Sequence, residues 1–394
     1  MHKKIVSLTI ISFVLISLFP IVYSSGWLEG WDYRIELKLN YNDVDEILND
    51  FPILVHLSNS SGINNQDLTS IFDEIGDNYN NTAYVYNNER LFFEVEYWNI
   101  MENLAEVWLK VPEVNNITYT IIYLYYDIYM DGSEYNNPYE VWNSFVMVQH
   151  MNDYNSTTIL DSTSNDNDGV KKDVNEPIET DGQIGKAQDC DGENDDITLN
   201  DFQNSYTPIT ISVWIYINES PTSWCAIFYK GSEDVDGIQF NAGTTQVRFH
   251  LTMTDASERT TDWTDALSLE TWINIVATYD SLTVTLYVDK ILAETETYVG
   301  YKEIRESATD WVIGRQKAMA GRWFNGIIDE AQFSSDNRSG AWIGASYETQ
   351  NDNFIIYGEI SSMLSGDIML IAIIALMVAL FSFLLVIIHR GKLT

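Results

Sequence analysis

Four segments decide the fold: Ile209-Thr210-Ile211-Ser212-Val213-Trp214, Trp272-Ile273-Asn274-Ile275-Val276-Ala277-Thr278-Tyr279-Asp280, Leu286-Tyr287-Val288-Asp289 and Phe324-Asn325-Gly326-Ile327-Ile328-Asp329-Glu330. Each is short and rich in β-branched and aromatic residues. Such runs read as strands when Asn, Asp and Gly segments split them. Working outward, the pattern predicts strands at Phe145–His150, Ile197–Leu199, Ile209–Ile217, Ala226–Lys230, Gln246–Thr252 and Trp272–Thr278. It continues through Thr283–Val288, Ile291–Thr297, Trp311–Gly314, Gly326–Phe333 and Trp342–Tyr347. Ten or more short strands in ~210 residues suit one two-sheet jelly roll.

An earlier block has the same character. Tyr33–Leu39 alternates, with Tyr33, Ile35, Leu37 and Leu39 on one face. Phe51–Leu57, Leu91–Trp98, Ala105–Val111 and Tyr119–Tyr126 follow as strands, and Asp43–Asp50 reads as a helical turn. The polar stretch Asp127–Tyr139 ends this block, and the pattern restarts after Val141-Trp142-Asn143. The expected fold class is therefore all-β: a β-rich sandwich over residues 26–140, then a jelly roll over residues 141–355.

Both ends of the chain are apolar. Met1-His2-Lys3-Lys4 precedes the run Ile5–Val22, with Ser24 and Ser25 at its exit, so residues 1–25 are expected to be a secretory signal peptide. Residues 368–388 form a second apolar run, long enough at 1.5 Å per residue to span a ~30 Å hydrocarbon core. Residues 356–367 then read as a juxtamembrane linker, 368–388 as a transmembrane helix and 389–394 as a cytoplasmic tail. Arg390 and Lys392 place that tail inside. Between the runs, six sequons at Asn59, Asn80, Asn116, Asn155, Asn218 and Asn337 offer glycan acceptors in an exported chain.

The composition narrows the function. A chain of 394 residues that is 45% hydrophobic can bury real cores. Its net charge of -37 repels phosphate backbones and disfavours nucleic acid as a partner. Two cysteines, Cys190 and Cys225, exclude a disulfide framework and a zinc-finger site; they are either one bridge or two buried thiols.

The four opening segments, with Cys190-Asp191-Gly192-Glu193-Asn194-Asp195, resemble the laminin-G-like (concanavalin A-like) jelly roll of surface proteins across residues ~145–350. Ser281 and Lys290 depart from that pattern, standing where glycine is usual after Asp280 and Asp289. The first block resembles a β-rich domain family of unknown function found before laminin-G-like domains in archaeal and bacterial surface proteins. Its motifs are Trp31-Asp32-Tyr33-Arg34, Asp50-Phe51-Pro52-Ile53-Leu54-Val55, Phe93-Glu94-Val95-Glu96-Tyr97-Trp98, Val107-Trp108-Leu109-Lys110-Val111-Pro112 and Ile122-Tyr123-Leu124-Tyr125-Tyr126. That resemblance implies no activity.

Laminin-G-like folds are related to glycoside hydrolases, so paired carboxylates matter. A retaining hydrolase needs two carboxyls ~5–5.5 Å apart. Glu94 and Glu96 share a strand face ~6.5–7 Å apart, while Asp329 and Glu330, being adjacent, should point to opposite faces. Three acidic residues at alternate positions on one strand are absent, as are a Gly-x-Ser-x-Gly elbow, a Walker motif and a His-Glu-x-x-His. No catalytic residue is expected. The acidic segment Asp189–Asp196 suits Ca²⁺, which takes six to eight oxygens. The resemblance brings Asp191 and Asp329 together, making Asp191, Asp195 and Asp329 the expected ligands of a structural Ca²⁺. For a sugar, Arg248 and His250 share one strand face, and Trp263, Arg322 and Trp323 lie in loop-like segments. The expected work is non-catalytic recognition or adhesion at the cell surface, through an extracellular glycan or a surface protein, by a single-pass membrane protein. The rivals are a structural envelope component and, disfavoured, a polysaccharide-active enzyme.

Overall fold

The computed structural model describes residues 27–363, except 175, 201, 203–205, 222–223, 232–237, 243–245, 266 and 317–320, together with residues 377–378. The expected signal peptide lies outside the described residues.

Alternation in Tyr33–Leu39 buries Ile35, Leu37 and Leu39 completely. This strand belongs to a six-stranded antiparallel sheet ordered Ile355–Tyr357, Tyr33–Leu39, Thr120–Tyr126, Thr82–Tyr86, Glu89–Arg90, with Ser361–Ser362 also pairing onto Tyr33–Leu39. A three-stranded sheet runs Leu48–Leu57, Leu104–Val114, Phe93–Asn99. The inner faces of the two sheets share one core that includes Leu37, Phe51, Val55, Val107, Leu109 and Leu124. The helical turn foreseen at Asp43–Asp50 is shorter and earlier, a 3-10 turn at Tyr41–Asp43 capped by the Asn40 side chain.

The jelly roll follows with two sheets. The nine-stranded sheet runs Glu258–Trp263, Val247–Thr252, Ile238–Ala242, Cys225–Lys230, Val312–Ile313, Ile197–Leu199, Gly169–Lys171, Thr158–Ile159, Asp153–Asn155. The eight-stranded sheet runs Ile178–Asp181, Lys186–Asp191, Asn325–Ser334, Ile209–Ile217, Trp272–Tyr279, Thr283–Val288, Ile291–Thr297, with Met147–Gln149 beside Asn325–Ser334. Between them lies a second core that includes Ile211, Val213, Ile227, Phe249, Ile275, Trp311 and Phe333. The two hairpins without the usual glycine keep left-handed turns: Ser281 sits at φ 91°, Asp289 at 47° and Lys290 at 64°.

Three expectations change. Trp342–Tyr347 is not a strand but part of the helix Gly340–Gln350, started by the Ser339 side chain, which accepts from the Trp342 amide at 3.2 Å. This helix is wedged between the modules. Trp342 meets Phe51 edge-on at 4.7 Å, and Thr349 Oγ1 accepts from the Leu54 amide at 2.8 Å. On the other side Tyr347 stacks on Trp214 at 5.5 Å, and the Trp214 indole donates to Gln350. Second, Ile355–Tyr357 returns to the edge of the first sheet, so residues 340–357 pack with the first module and the jelly roll is an insertion within it. Third, the C-terminal transmembrane helix is overturned: among the described residues no helix is long and apolar enough to cross a membrane. The run that suggested it, residues 368–388, lies outside the described residues except for Met377 and Val378.

Candidate functional site

The register of the nine-stranded sheet sets out the candidate site. Val247, Phe249 and Leu251 point into the core and are fully buried, so Arg248 and His250 face outward. Arg248 pairs across the ladder with Asp262, and its fork grips that carboxylate with Nε to Oδ1 at 2.6 Å and Nη2 to Oδ2 at 2.8 Å. The same guanidinium lies 4.6 Å from the Trp224 ring centroid. One row along, His250 pairs with Thr260; its Nδ1 is 2.9 Å from Thr260 Oγ1, while its buried Nε2 has no partner. Burial pushes the imidazole below its ordinary range, so it is neutral at pH 7.

The other expected ligand contacts are dispersed. Trp263 follows Asp262 and so turns the opposite way, packing against the core. Arg322 donates to Gln316 Oε1 at 2.5 Å. Trp323 bridges Arg315 beyond Val312–Ile313, under the Arg315 guanidinium at 5.6 Å, and its buried indole N–H has no partner. At ~4.8 Å per strand, this second patch is ~14 Å across the sheet from Arg248. Trp224 was not foreseen; it directly precedes a strand, where only the register could reveal it.

The expected calcium ligands do not assemble. Asp191 pairs opposite Asn325, four positions along the strand from Asp329. Asp191 Oδ1 instead accepts from the amides of Glu193 and Asn194 at 2.7 and 3.2 Å, closing its own turn. Asp195 Oδ2 accepts from the Asp191 amide at 2.9 Å, and its buried Oδ1 is unpartnered. Cys190 and Cys225 are free and buried. Among the sequons, Asn59, Asn155 and Asn337 are exposed, and Asn80, Asn116 and Asn218 are half-buried.

Asp329 sits elsewhere, in a cluster that sequence spacing missed. Ser212 pairs with Gln332 but Trp214 pairs with Asp329, so the strand Asn325–Ser334 carries one extra residue against its neighbour. Glu330 takes the bulge at φ 48°. Alternation fails there, and the two adjacent carboxylates share one pocket, correcting the expectation that they diverge. His150 stands at its centre. Its Nδ1 lies 2.5 Å from Glu330 Oε1 and 3.3 Å from Glu96 Oε2, and its Nε2 lies 3.2 Å from Glu94 Oε2. Trp108 stacks on the imidazole at 6.0 Å and donates to Glu96 Oε2 at 2.6 Å. Asp329 accepts from the Ile184 amide at 3.0 Å. Burial and the nearby Glu330 charge push both Glu96 and Asp329 well above the usual carboxylate range. Burial opposes the charge on His150, yet Glu330, Glu96 and Glu94 together raise it well above its ordinary value. Glu94 and Glu96 are only 12% and 1% exposed, so the face that sequence offered to a substrate is shut between modules.

A polar cleft of about 670 Å³ opens at the junction, lined by Ser60, Asn65, Lys290, Tyr347 and Asp352 among others. Burial pushes the Asp352 carboxyl up to about 6, against the opposing pull of His56 and the Gly62 amide.

No curated protein matches the chain. Among solved structures, the binding domain of Paraclostridial Mosquitocidal Protein 1 is 13% identical with a TM-score of 0.44, covering 52% of this chain and 52% of that one. The botulinum neurotoxin serotype D binding domain is 15% identical with a TM-score of 0.43, covering 53% and 52%. This chain thus spans about half the length of both toxin domains. Domain 4 of AbnA, an extracellular arabinanase from Geobacillus stearothermophilus solved with arabinotriose, is 16% identical with a TM-score of 0.41, covering 51% and 97%. The family resemblance expected for residues 26–140 is not shown by the family comparison. A match to the Laminin_G_3 model, of the concanavalin A-like lectin/glucanases superfamily, spans residues 191–344 and supports the jelly-roll fold of the inserted module.

Proposed function

We propose that the chain binds a glycan without catalysis, on the outer face of the nine-stranded sheet, and works outside the cell. One observation carries this reading. The part of the other outer face around Trp214, Asp329 and Glu330 is buried against the first module and its helix, whereas this face presents Arg248, Asp262 and Trp224. An aromatic face flanked by fixed polar groups suits a sugar ring. The net charge of -37 favours neutral over acidic glycans. The exposed or half-buried sequons fit export. A Ca²⁺ ion at the Asp191–Asp195 turn belongs to the same reading, supported by the unpartnered Oδ1 of Asp195.

The test is calorimetric titration of the purified full-length chain with a panel of neutral and sialylated oligosaccharides. Binding of a neutral member, weakened at least tenfold in Arg248→Ala, supports the proposal. Absence of binding across the panel, or equal affinity in Arg248→Ala, overturns it. A protein partner is the second reading, favoured by Ile291, Leu292, Val299 and Tyr301, which are 63%, 56%, 98% and 61% exposed at and just beyond one sheet edge.

A further inference from the structure

The buried cluster between the modules gathers four carboxyls around one imidazole. Glu94, Glu96, Asp329 and Glu330 surround a single imidazole, and among the described residues no lysine or arginine pairs with any of them. Buried charges persist where they are paired or hold a metal. The carboxylates are also held from behind by neutral donors. Trp108 donates to Glu96, Trp142 and Ser162 donate to Glu94, and Gln332 Nε2 donates to Glu330 Oε2 at 2.9 Å. Two features are left. Glu96 Oε1 is buried without a partner although its side chain is 1% exposed. The Nδ1 of His150 faces two carboxylate oxygens at once, and one atom from each of Glu96, His150 and Glu330 lies within 4.8 Å of the others.

We propose that Glu96, His150 and Glu330 hold a divalent transition-metal ion, Zn²⁺ first among them, which clamps the jelly roll to the first module. One carboxylate oxygen of Glu96, Oε1 of Glu330 and Nδ1 of His150 supply three donors, and a water closes the tetrahedral site. A nitrogen donor with carboxylates suits Zn²⁺ and its neighbours better than Ca²⁺ or Mg²⁺. Glu94, at 3.2 Å from Nε2, is placed to accept that N–H and so present Nδ1 as a ligand, the arrangement that orients most metal-bound histidines. Ligands of a tetrahedral Zn²⁺ lie ~3.3 Å apart. The 3.3 Å contact from Nδ1 to Glu96 already meets this, and the 2.5 Å contact to Glu330 must open on binding. The clamp joins Glu96 of the first module to His150 and Glu330 of the second, and it is independent of the glycan-binding face.

The test strips the full-length chain with EDTA, restores it with ZnCl₂, and measures bound metal by elemental analysis and affinity by calorimetry. The expected result is about one Zn²⁺ per chain, with affinity lowered at least tenfold in Glu96→Gln and in Glu330→Gln and unchanged in Asp195→Asn. Loss in Glu94→Gln should be ~10–100-fold, as for other groups behind a metal ligand. No Zn²⁺ uptake, equal uptake in Glu96→Gln, or displacement by equimolar Ca²⁺ overturns the proposal. If the variants fail to fold, the unmutated chain loaded with Co²⁺ decides. Visible d–d bands and a histidine nitrogen in its X-ray absorption spectrum support the site, and an oxygen-only shell overturns it.

Discussion

The outer face of the eight-stranded sheet carries Trp214 at 2% exposure, Asp329 at 0% and Glu330 at 1%. The outer face of the nine-stranded sheet carries Arg248 and Asp262, whose side chains remain 34% and 33% exposed. Both faces belong to one jelly roll, built from strands of similar composition. The difference comes from the first module and the helix Gly340–Gln350, which cover one face and leave the other. A jelly roll standing alone would offer two faces to a ligand; this one keeps Trp214 and its acidic cluster for joining modules.

Disrupting the covered face should have the largest effect. Trp214 is nearly buried, stacks on Tyr347 and donates to Gln350. Trp214→Ala should cost ~3–5 kcal/mol, as large-to-small changes of buried aromatics do. Thermal melts of the full-length chain read this directly, and a loss under ~1 kcal/mol would mean that the helix and sheet are not firmly joined. The open face should behave conversely. Arg248→Ala removes a half-exposed ion pair worth ~0.5–1 kcal/mol and should barely move the melting midpoint while weakening glycan binding at least tenfold. A large stability loss with unchanged binding would reverse the roles of the two faces.

Two smaller effects sharpen the contrast. Asp352, beside the junction, has its folded value raised to about 6 by burial, above the ~3.9 of an unfolded aspartate. Between those values the folded chain binds more protons than the unfolded one, so stability should fall as pH rises from about 4 to 6. Asp352→Asn should flatten that segment of a stability–pH profile; an unchanged slope would place its origin elsewhere. At the Asp191–Asp195 turn, Ca²⁺ should raise the midpoint of the wild type and not of Asp195→Asn. A midpoint that ignores Ca²⁺ in the wild type leaves the turn as self-satisfied surface.

Much of the fold was legible because alternation is a local signal. Tyr33–Leu39 and Ile209–Ile217 fall where the pattern places them. The helix Gly340–Gln350 was not, because it is buried between two modules and lacks the polar face that marks a surface helix. The return of Ile355–Tyr357 to the first sheet is a pairing across more than 300 residues, outside any local window. The site divides in the same way. Arg248 and His250 share a face by simple alternation, but Trp224, which meets Arg248, enters only through three-dimensional packing. Asp329 and Glu330 show the sharper failure. One bulge residue at φ 48° turns two side chains that alternation separates into one pocket. The dense acidic turn at Asp189–Asp196 drew attention as a metal site, whereas Glu96, His150 and Glu330, scattered along the chain, are the ones that converge.

Hydrogen exchange on the full-length chain, with and without the tightest-binding neutral oligosaccharide, tests the open-face account most directly. Slowed exchange confined to Val247–Thr252, Glu258–Trp263 and the backbone around Trp224 is the predicted result. Protection that instead falls on Ile209–Ile217 or Gly340–Gln350, with none at Arg248, would contradict it.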